Sequence, residues 1–577
     1  MQNKIDVLGT DVLVIGSEGA GARAALEAAE AGCNVTVITK ARLGRSGATQ
    51  CAPGDFALNS RSARKLGMEG DERDSWERHF EDTLEGGKRL NDVELARIMT
   101  QDAEDAMAYL MDLGVPWTRL GKYPGHSYPR GAMVGAVGKT GTSLLQGLHK
   151  AVKQKKITVL EDTFAIDLIS DDDGVISGCT ALYEPSGEFL AIQAKAVILA
   201  TGGGSRIYWL TSGPEEVTGD GMAMAYRAGA ELIDMEFVQF SPFTMISPEG
   251  LRGHQSFVYE YFCVLSSWLM NRNGERFMAK WDPERMEHST RDTLSIAMMS
   301  EVLAGRGSEH GGVYLSATHL PPNLLEQFAE HYFPGLQVGS FNLREFGIDP
   351  QHAAFEVAPG AHFFMGGVRV DTDCATTRPG LYACGEVSGG AHGANRLSGN
   401  ALTETQVFGA IAGRTAAEFA LGRTGVKVDM AQVAPALERI RQLCAKEEGL
   451  CPFELREQLQ QMAWRQVGVI REQHGLEDAL ATLENWETEA LPRLRVHTGA
   501  SQFNLELVKA LELENMVQVL KATTISALAR KETCGAHYRT DSETDTSASV
   551  RHVIHRGVKG MEIASIPVEA EKRRRVR

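Results

Sequence analysis

The chain has 577 residues, 43% hydrophobic and 23% charged, with a formal net charge of −16 at pH 7. At roughly 100–200 residues per domain, that length predicts three or four domains, or two large ones with insertions, and the composition excludes global disorder. The acidic balance excludes sequence-independent nucleic-acid binding, which needs a basic face to displace counterions.

The first element in chain order is a buried strand at Asp11–Ile15, followed by the loop Gly16-Ser17-Glu18-Gly19-Ala20-Gly21 and a helix over Ala22–Ala31. Gly32 ends that helix and Asn34–Thr39 reads as a second strand, so the chain opens with a βαβ unit. Residues 74–113 read as helical. Residues 158–194 read as a meander broken at Asp171–Gly174 and Pro185–Gly187, and Ala194–Ala200 as another buried strand closed by Thr201–Gly204. Residues 236–357 are irregular and richer in aromatics. A third nucleotide-fold strand follows at Leu381–Cys384, then a helix at Val407–Leu421 and successive helices over 433–529. The segment from Lys531 on reads as irregular and polar, packed on those helices. The basic cluster Glu571–Arg577 reads as a solvated tail.

Glycine supplies 60 residues, about one in ten, against a usual share of about 7%. No repeat carries them, so they mark backbone that bends sharply or approaches a ligand. The nine cysteines include no CxxC pair. That spacing encodes neither an iron–sulfur cluster nor a zinc ribbon, and an odd number of cysteines in a large chain fits a reducing compartment. No stretch reaches the roughly 18 apolar residues of a spanning helix. The chain is expected to be cytoplasmic, reaching a membrane only through partner subunits.

The loop at Gly16–Gly21 lies between a strand and a helix, the context in which free helix N–H groups and the positive dipole end receive a diphosphate. Two features depart from an NAD site. Glu18 stands where backbone normally nears the diphosphate, a position a carboxylate tolerates only if it points away. The second strand ends in Thr39-Lys40 rather than an acid, and the acidic candidate comes far downstream at Gly385-Glu386. A second chain segment returning to complete the site indicates FAD.

A longer series of ordered motifs runs from Arg45-Ser46-Gly47-Ala48, Ala200–Gly203 and Thr218–Met222 through Asp234–Gln239, Gly274–Met278 and Arg291-Asp292. It continues with His362–Gly367, Gly380–Glu386, His392–Asn400, Leu513–Met516 and Gly535–Arg539. Over nearly its whole length the chain resembles the flavoprotein subunit of the succinate dehydrogenase/fumarate reductase family, which includes L-aspartate oxidase and the adenylylsulfate reductase α subunit. The resemblance implies an α/β fold: a Rossmann-like FAD-binding domain (residues 1–235 and 358–426), an inserted α+β capping domain (236–357), a helical domain (427–535) and a C-terminal region (536–577). It implies FAD held by Gly16, Gly19, Ala20, Gly21, Thr39, Lys40, Ser46, Gly47, Ala48, Ala200, Thr201, Gly202 and Asp220. Glu386 is expected on the adenosine ribose, and Arg396, Ser398, Asn400, Ala401 and Leu402 at the isoalloxazine end. Members with covalent flavin carry a histidine where this chain has Gly47, so noncovalent FAD is expected.

The resemblance also implies hydride transfer between the flavin and a carbon of a C=C or CH–CH bond. Arg291 would exchange the proton, Glu260 would assist, and His362 with Arg396 would hold a substrate carboxylate. The far half of the pocket departs from the family. Ser241-Pro242-Phe243 replaces a His-Pro-Thr run, Tyr259-Glu260 a Thr-Glu pair, and Cys263 an arginine. Each lost charge-assisted bond is worth about 1.5–3 kcal/mol. The expected substrate is therefore anionic, with one carboxylate and a larger or less polar second group near Phe243 and Tyr259, rather than fumarate. Arg252, His254 and Tyr261 are candidate replacement contacts. An iron–sulfur electron-transfer partner is expected. Three other readings stay open: a protein like the adenylylsulfate reductase flavin subunit, an oxidase like L-aspartate oxidase, and a flavin subunit that only conducts electrons.

Overall fold

The computed structural model describes residues 5–52, 54–135, 140–263, 265–338, 341–427, 429–542, 550–558 and 560–568, without the side chains of Asp6, Ser256, Glu260 and Cys263. The first strand runs Asp6–Ile15 and sits inside a seven-stranded sheet. Parallel neighbours flank it: Val35–Ile38, then Thr158–Leu160, on one side, and Glu188–Leu199 on the other. Glu188–Leu199 pairs in its first half with the antiparallel meander Ile176–Tyr183 and Thr163–Ser170, and in its last three residues with parallel Leu381–Ala383.

This register brings four carboxyl ends, at Ile15, Ile38, Leu199 and Ala383, to one edge. There Gly16 N donates to Ile38 O, Ala200 N to Ile15 O, and Cys384 N to Leu199 O. Each strand then feeds a glycine or polar loop, the arrangement that makes a ligand crevice in open parallel sheets.

The helix Gly19–Glu30 backs this edge and is crossed by Asn400–Gly422. A Cβ at Gly413 would lie 2.4 Å from Ala24 O, so only glycine permits the approach. The second helix starts earlier than its apolar pattern predicts because its first two turns bury polar groups in bonds. Thr403 Oγ1 donates to Ala57 O, and Gln406 Nε2 to Gly19 O.

A separate aromatic core fills the inserted segment, with Phe257, Tyr261, Phe277, Phe328 and Phe355 among its buried side chains. Its four-stranded antiparallel sheet orders Val238–Met245, Phe355–Phe364, Val313–Ser316 and Trp268–Met270. The long strand Phe355–Phe364 leaves that core at its end and delivers His362 to the ligand crevice, while the start of Val238–Met245 delivers Gln239 beside Arg291.

Helices Met430–Ala445, Pro452–Gln466, Gln473–Asn485 and Leu505–Ala529 follow. The end of the chain departs from expectation. Val550–Gly557 and Gly560–Pro567 form a hairpin that pairs with Leu232–Ile233 of the FAD-binding part. Its strand pattern was hidden because Arg551 and His552 are both polar and buried; Arg551 Nη2 meets Asp234 Oδ2 at 2.5 Å. The cluster Glu571–Arg577 lies outside the described residues.

Candidate active site

A cavity of about 530 Å³ opens at the carboxyl ends of the parallel strands. It is lined by Gly16, Ala20, Thr39, Lys40, Ser46, Gly47, Ala48, Ala200, Thr201, Gly202, Asp220, Glu386, Arg396, Ser398, Ala401 and Leu402. Gly19, Gly21 and Asn400 do not line it. Gly21 packs under the loop, where a Cβ would lie 2.0 Å from Gly16 O. Asn400 turns away: its Nδ2 donates to Thr83 Oγ1 at 3.1 Å and its Oδ1 accepts from His79 Nε2 at 2.8 Å.

Lys40 is locked in a buried network, giving its Nζ to Thr218 Oγ1 and Asp220 Oδ2, both at 2.7 Å, and to Glu512 Oε1 at 2.9 Å. Asp220 is held by this network, and Asn515 Nδ2 donates to its Oδ1. Glu386 lines the cavity. Its Oε1 accepts from Phe364 N at 3.0 Å, and a Cβ at Gly203 would lie 2.1 Å from that oxygen. Burial pushes its carboxyl up to about 7, against the pull of the Phe364 N–H and of Arg396. Glu386 is thus within electrostatic reach of the arginine at the inner end of the site.

The two sequence exceptions touch each other. Glu18 folds against Gly47, where an added Cβ would lie 2.3 Å from Glu18 Cγ. Gly47 also has φ +92°, which favours glycine. Glu18 Oε2 accepts from Gln50 N at 3.0 Å and Oε1 is buried without a partner. Burial pushes the Glu18 carboxyl up to about 8; the Gln50 N–H opposes this and Glu216 adds to it. The protonated acid is thus favoured at pH 7, and Glu18 itself lines the cavity. Because its side chain fills the space a tethering residue would need, acid precipitation is expected to leave all flavin in the supernatant. Flavin fluorescence in the washed pellet would contradict this.

Arg291, His362 and Arg396 come together at one end of the cavity. Arg396 is buried; among the described residues its Nε has no partner and its Nη1 reaches Leu397 O at 3.3 Å. Burial and Arg291 pull its pKa down to about 9, and Phe363 lies under it with 4.6 Å to the ring centroid. His362 Nδ1 is held by Ser212 Oγ at 2.9 Å. Burial, then Arg291 and Arg396, depress its pKa well below the ordinary histidine value, so it is a neutral ring. Arg291 begins the helix Arg291–Glu301 and makes no ion pair among the described residues. Glu287 pairs with Arg276 instead, and Asp292 accepts from Asn395.

Two further residues, Gln239 and Asp55, stand beside the arginines. Gln239 accepts from Arg291 Nη1 at 3.2 Å, while its Nε2 donates to Arg396 O at 2.9 Å and Asn395 Oδ1 at 2.8 Å. One side chain thereby sets the spacing of the two arginines. Its place in the Asp234–Gln239 motif was the available signal. Asp55 lines the cavity with Oδ2 buried and unpartnered. Burial raises its pKa to about 6, against the pull of Arg291 and Arg396. No motif marked it.

Glu260 lies in the helix Ser256–Cys263, but its side chain and that of Cys263 are outside the described residues. Arg252 and His254 line the cavity. Tyr261 does not; it is buried in the cap core, stacked on Phe333 at 6.1 Å, which removes it as a substrate contact.

The glycine-lined loop at a helix N-terminus, together with the buried, unpartnered Thr201 Oγ1, fits a bound dinucleotide. The fold and this cavity define a Rossmann-type dinucleotide-binding protein with two arginines, Arg291 and Arg396, at one end of the cavity. Residues 11–402 match the FAD binding domain family and residues 456–573 the fumarate reductase flavoprotein C-terminal family. One relative is a component of the CoM/CoB fumarate reductase of Methanothermobacter marburgensis, 38% identical over 92% of this chain and 94% of that one. The L-aspartate oxidase of Streptomyces coelicolor is 34% identical, over 95% and 92%. Mycobacterium smegmatis Sdh1 superposes with a TM-score of 0.86 at 33% identity, covering 98% of this chain and 94% of that one. An adenosine-5-phosphosulfate reductase, at 21% identity and a TM-score of 0.75, shares the fold. The chain belongs to the flavoprotein family of fumarate reductases and succinate dehydrogenases, and is an FAD-dependent oxidoreductase. No helix among the described residues is long and apolar enough to cross a membrane.

Proposed function

We propose that the chain moves a hydride between FAD and the C=C or CH–CH bond of an anionic substrate that carries one carboxylate and is not fumarate. The observation that carries this reading is Arg396, a buried guanidinium with unused N–H donors beside Arg291 and a neutral His362. Bound FAD supplies the hydride donor and acceptor. Arg396 holds the substrate carboxylate through parallel N–H bonds, which are stronger in a site that excludes water. His362, oriented by Ser212 on Nδ1, adds a neutral contact through Nε2. Arg291, held by Gln239, exchanges the proton at the substrate carbon. An arginine gives up a proton reluctantly and needs a group to reload it. Glu260, and the buried Asp55 that feels both arginines, are the carboxyls for that relay. Glu386, through its placement by Phe364 and Arg396, serves the flavin half of the cofactor.

Electron exchange with a separate iron–sulfur protein fits a chain whose nine cysteines contain no CxxC. A second reading, an oxidase using oxygen directly, draws on the 34% identity to L-aspartate oxidase; hydrogen peroxide formed on substrate addition would select it.

An anaerobic assay with reduced viologen tests the substrate reading. Loss of two charge-assisted bonds predicts a kcat/KM for fumarate lower by about 10²–10⁴-fold than for the best monocarboxylate enoate. Equal or better turnover of fumarate would refute the role given to Ser241, Phe243 and Cys263.

A further inference from the structure

A second cavity, of about 100 Å³, shares Tyr259, Arg291, Arg396 and Ser398 with the large one. Its walls form a continuous run of rings. Tyr123 lies 6.2 Å from Tyr259, Tyr259 lies 5.4 Å edge-on from Phe243, and Phe243 lies 4.2 Å from Phe262. Beyond the two arginines, polar groups along it are engaged elsewhere. Glu287 binds Arg276 and Leu269 N, Asn395 binds Asp292 and Gln239, and Thr290 Oγ1 meets Thr293 Oγ1 at 3.2 Å. Lys122 and His288 are exposed and mark its mouth.

Resting on the proposed function, we infer that this cavity seats the second arm of the substrate and that the arm is an aromatic ring, making the substrate a 3-aryl enoate or its saturated counterpart. With Arg396 held by the first carboxylate, a second one seated beyond the arginines, against the rings, would be desolvated with little compensation, which is costly. Aromatic walls favour an edge-on or offset ring. An apolar cavity of about 150 Å³ can hold benzene; this one is about a third smaller but shares lining residues with the large cavity, so one ring is the largest group it would take. With its carboxylate on Arg396, the substrate would present its C=C bond beside Arg291, the residue proposed to exchange the proton. In the reducing direction the enoate gains a hydride on one carbon and a proton on the next. The two electrons come from two-electron-reduced FAD, which is oxidised.

Titration of the FAD-loaded protein with trans-3-phenylacrylate, crotonate and fumarate, followed by the visible flavin spectrum, tests this. Phenylacrylate is expected to bind about tenfold or more tighter than crotonate. Tyr123→Ala, in a half-buried loop, and Phe262→Leu should each reduce phenylacrylate affinity about tenfold, with crotonate affinity and FAD content unchanged. Should Phe262→Leu fail to fold, Tyr123→Ala decides alone. Crotonate binding with phenylacrylate no tighter, or phenylacrylate indifferent to Tyr123→Ala, overturns the aryl seat while leaving the carboxylate reading intact. If none of the three acids binds, both fall.

Discussion

Arg291→Ala is expected to lower kcat by about 10²–10⁴-fold, the usual worth of a positioned proton donor, with FAD content unchanged. Arg291 sits in the cap, on the first turn of Arg291–Glu301, and touches the rest of the site through Gln239. Its removal leaves the glycine loop and the crossed helices untouched. A structural arginine would behave differently: its loss would be felt in melting temperature and flavin retention. Gln239→Leu separates position from chemistry. It frees the Arg291 guanidinium and removes a bond to the Arg396 backbone carbonyl without removing either arginine, so kcat should fall by less than in Arg291→Ala. Unchanged turnover in Arg291→Ala would take that residue out of the reaction.

FAD affinity is expected to be constant below pH 8 with respect to Glu18 and to fall above it, approaching tenfold per pH unit. Burial raises the Glu18 carboxyl to about 8, so the neutral form dominates at pH 7. Glu18 immediately precedes the helix that receives the diphosphate. Ionising it sets two negative charges close together, so the cofactor prefers the protonated acid. Binding then takes up a proton once the pH exceeds the pKa of the free site, and affinity declines until the pKa of the complex is reached. Other titrating neighbours are distinguishable: Cys51 is pushed up to about 11 and Glu386 to about 7. Glu18→Gln keeps the shape and removes the charge, so it should abolish the loss above pH 8 and leave any step near 7. Identical alkaline profiles for wild type and Glu18→Gln, measured by quenching of free FAD fluorescence, would exclude this role.

The parallel strands were legible because Val12–Ile15 and Val197–Leu199 are unbroken apolar runs that end at glycine-containing loops, a pattern with one physical outcome in a doubly covered sheet. The arginine pair and His362 were legible through family motifs. What escaped shares a different cause: polar residues buried by specific partners. Arg551, with Asp234 as its partner, made a strand look like a tail. Thr403 and Gln406 hid two helical turns. Asp55 and Gln239 matter through neighbours more than 50 residues away in sequence, Arg291 and Arg396 among them, so local spacing could not announce them. Glu18 and Gly47 each looked like a defect in its own motif, and only their contact shows that each accommodates the other.

The most direct measurement is an anaerobic single turnover. The FAD-loaded protein is reduced photochemically, freed of excess donor, and mixed with a monocarboxylate enoate while flavin absorbance and product are followed together. Transfer to the C=C bond predicts reoxidation of the flavin with one saturated acid formed per FAD, and loss of that reoxidation in Arg396→Gln at the same acid concentration. Flavin that stays reduced with every enoate, yet reoxidises at once when oxygen is admitted, would contradict the account.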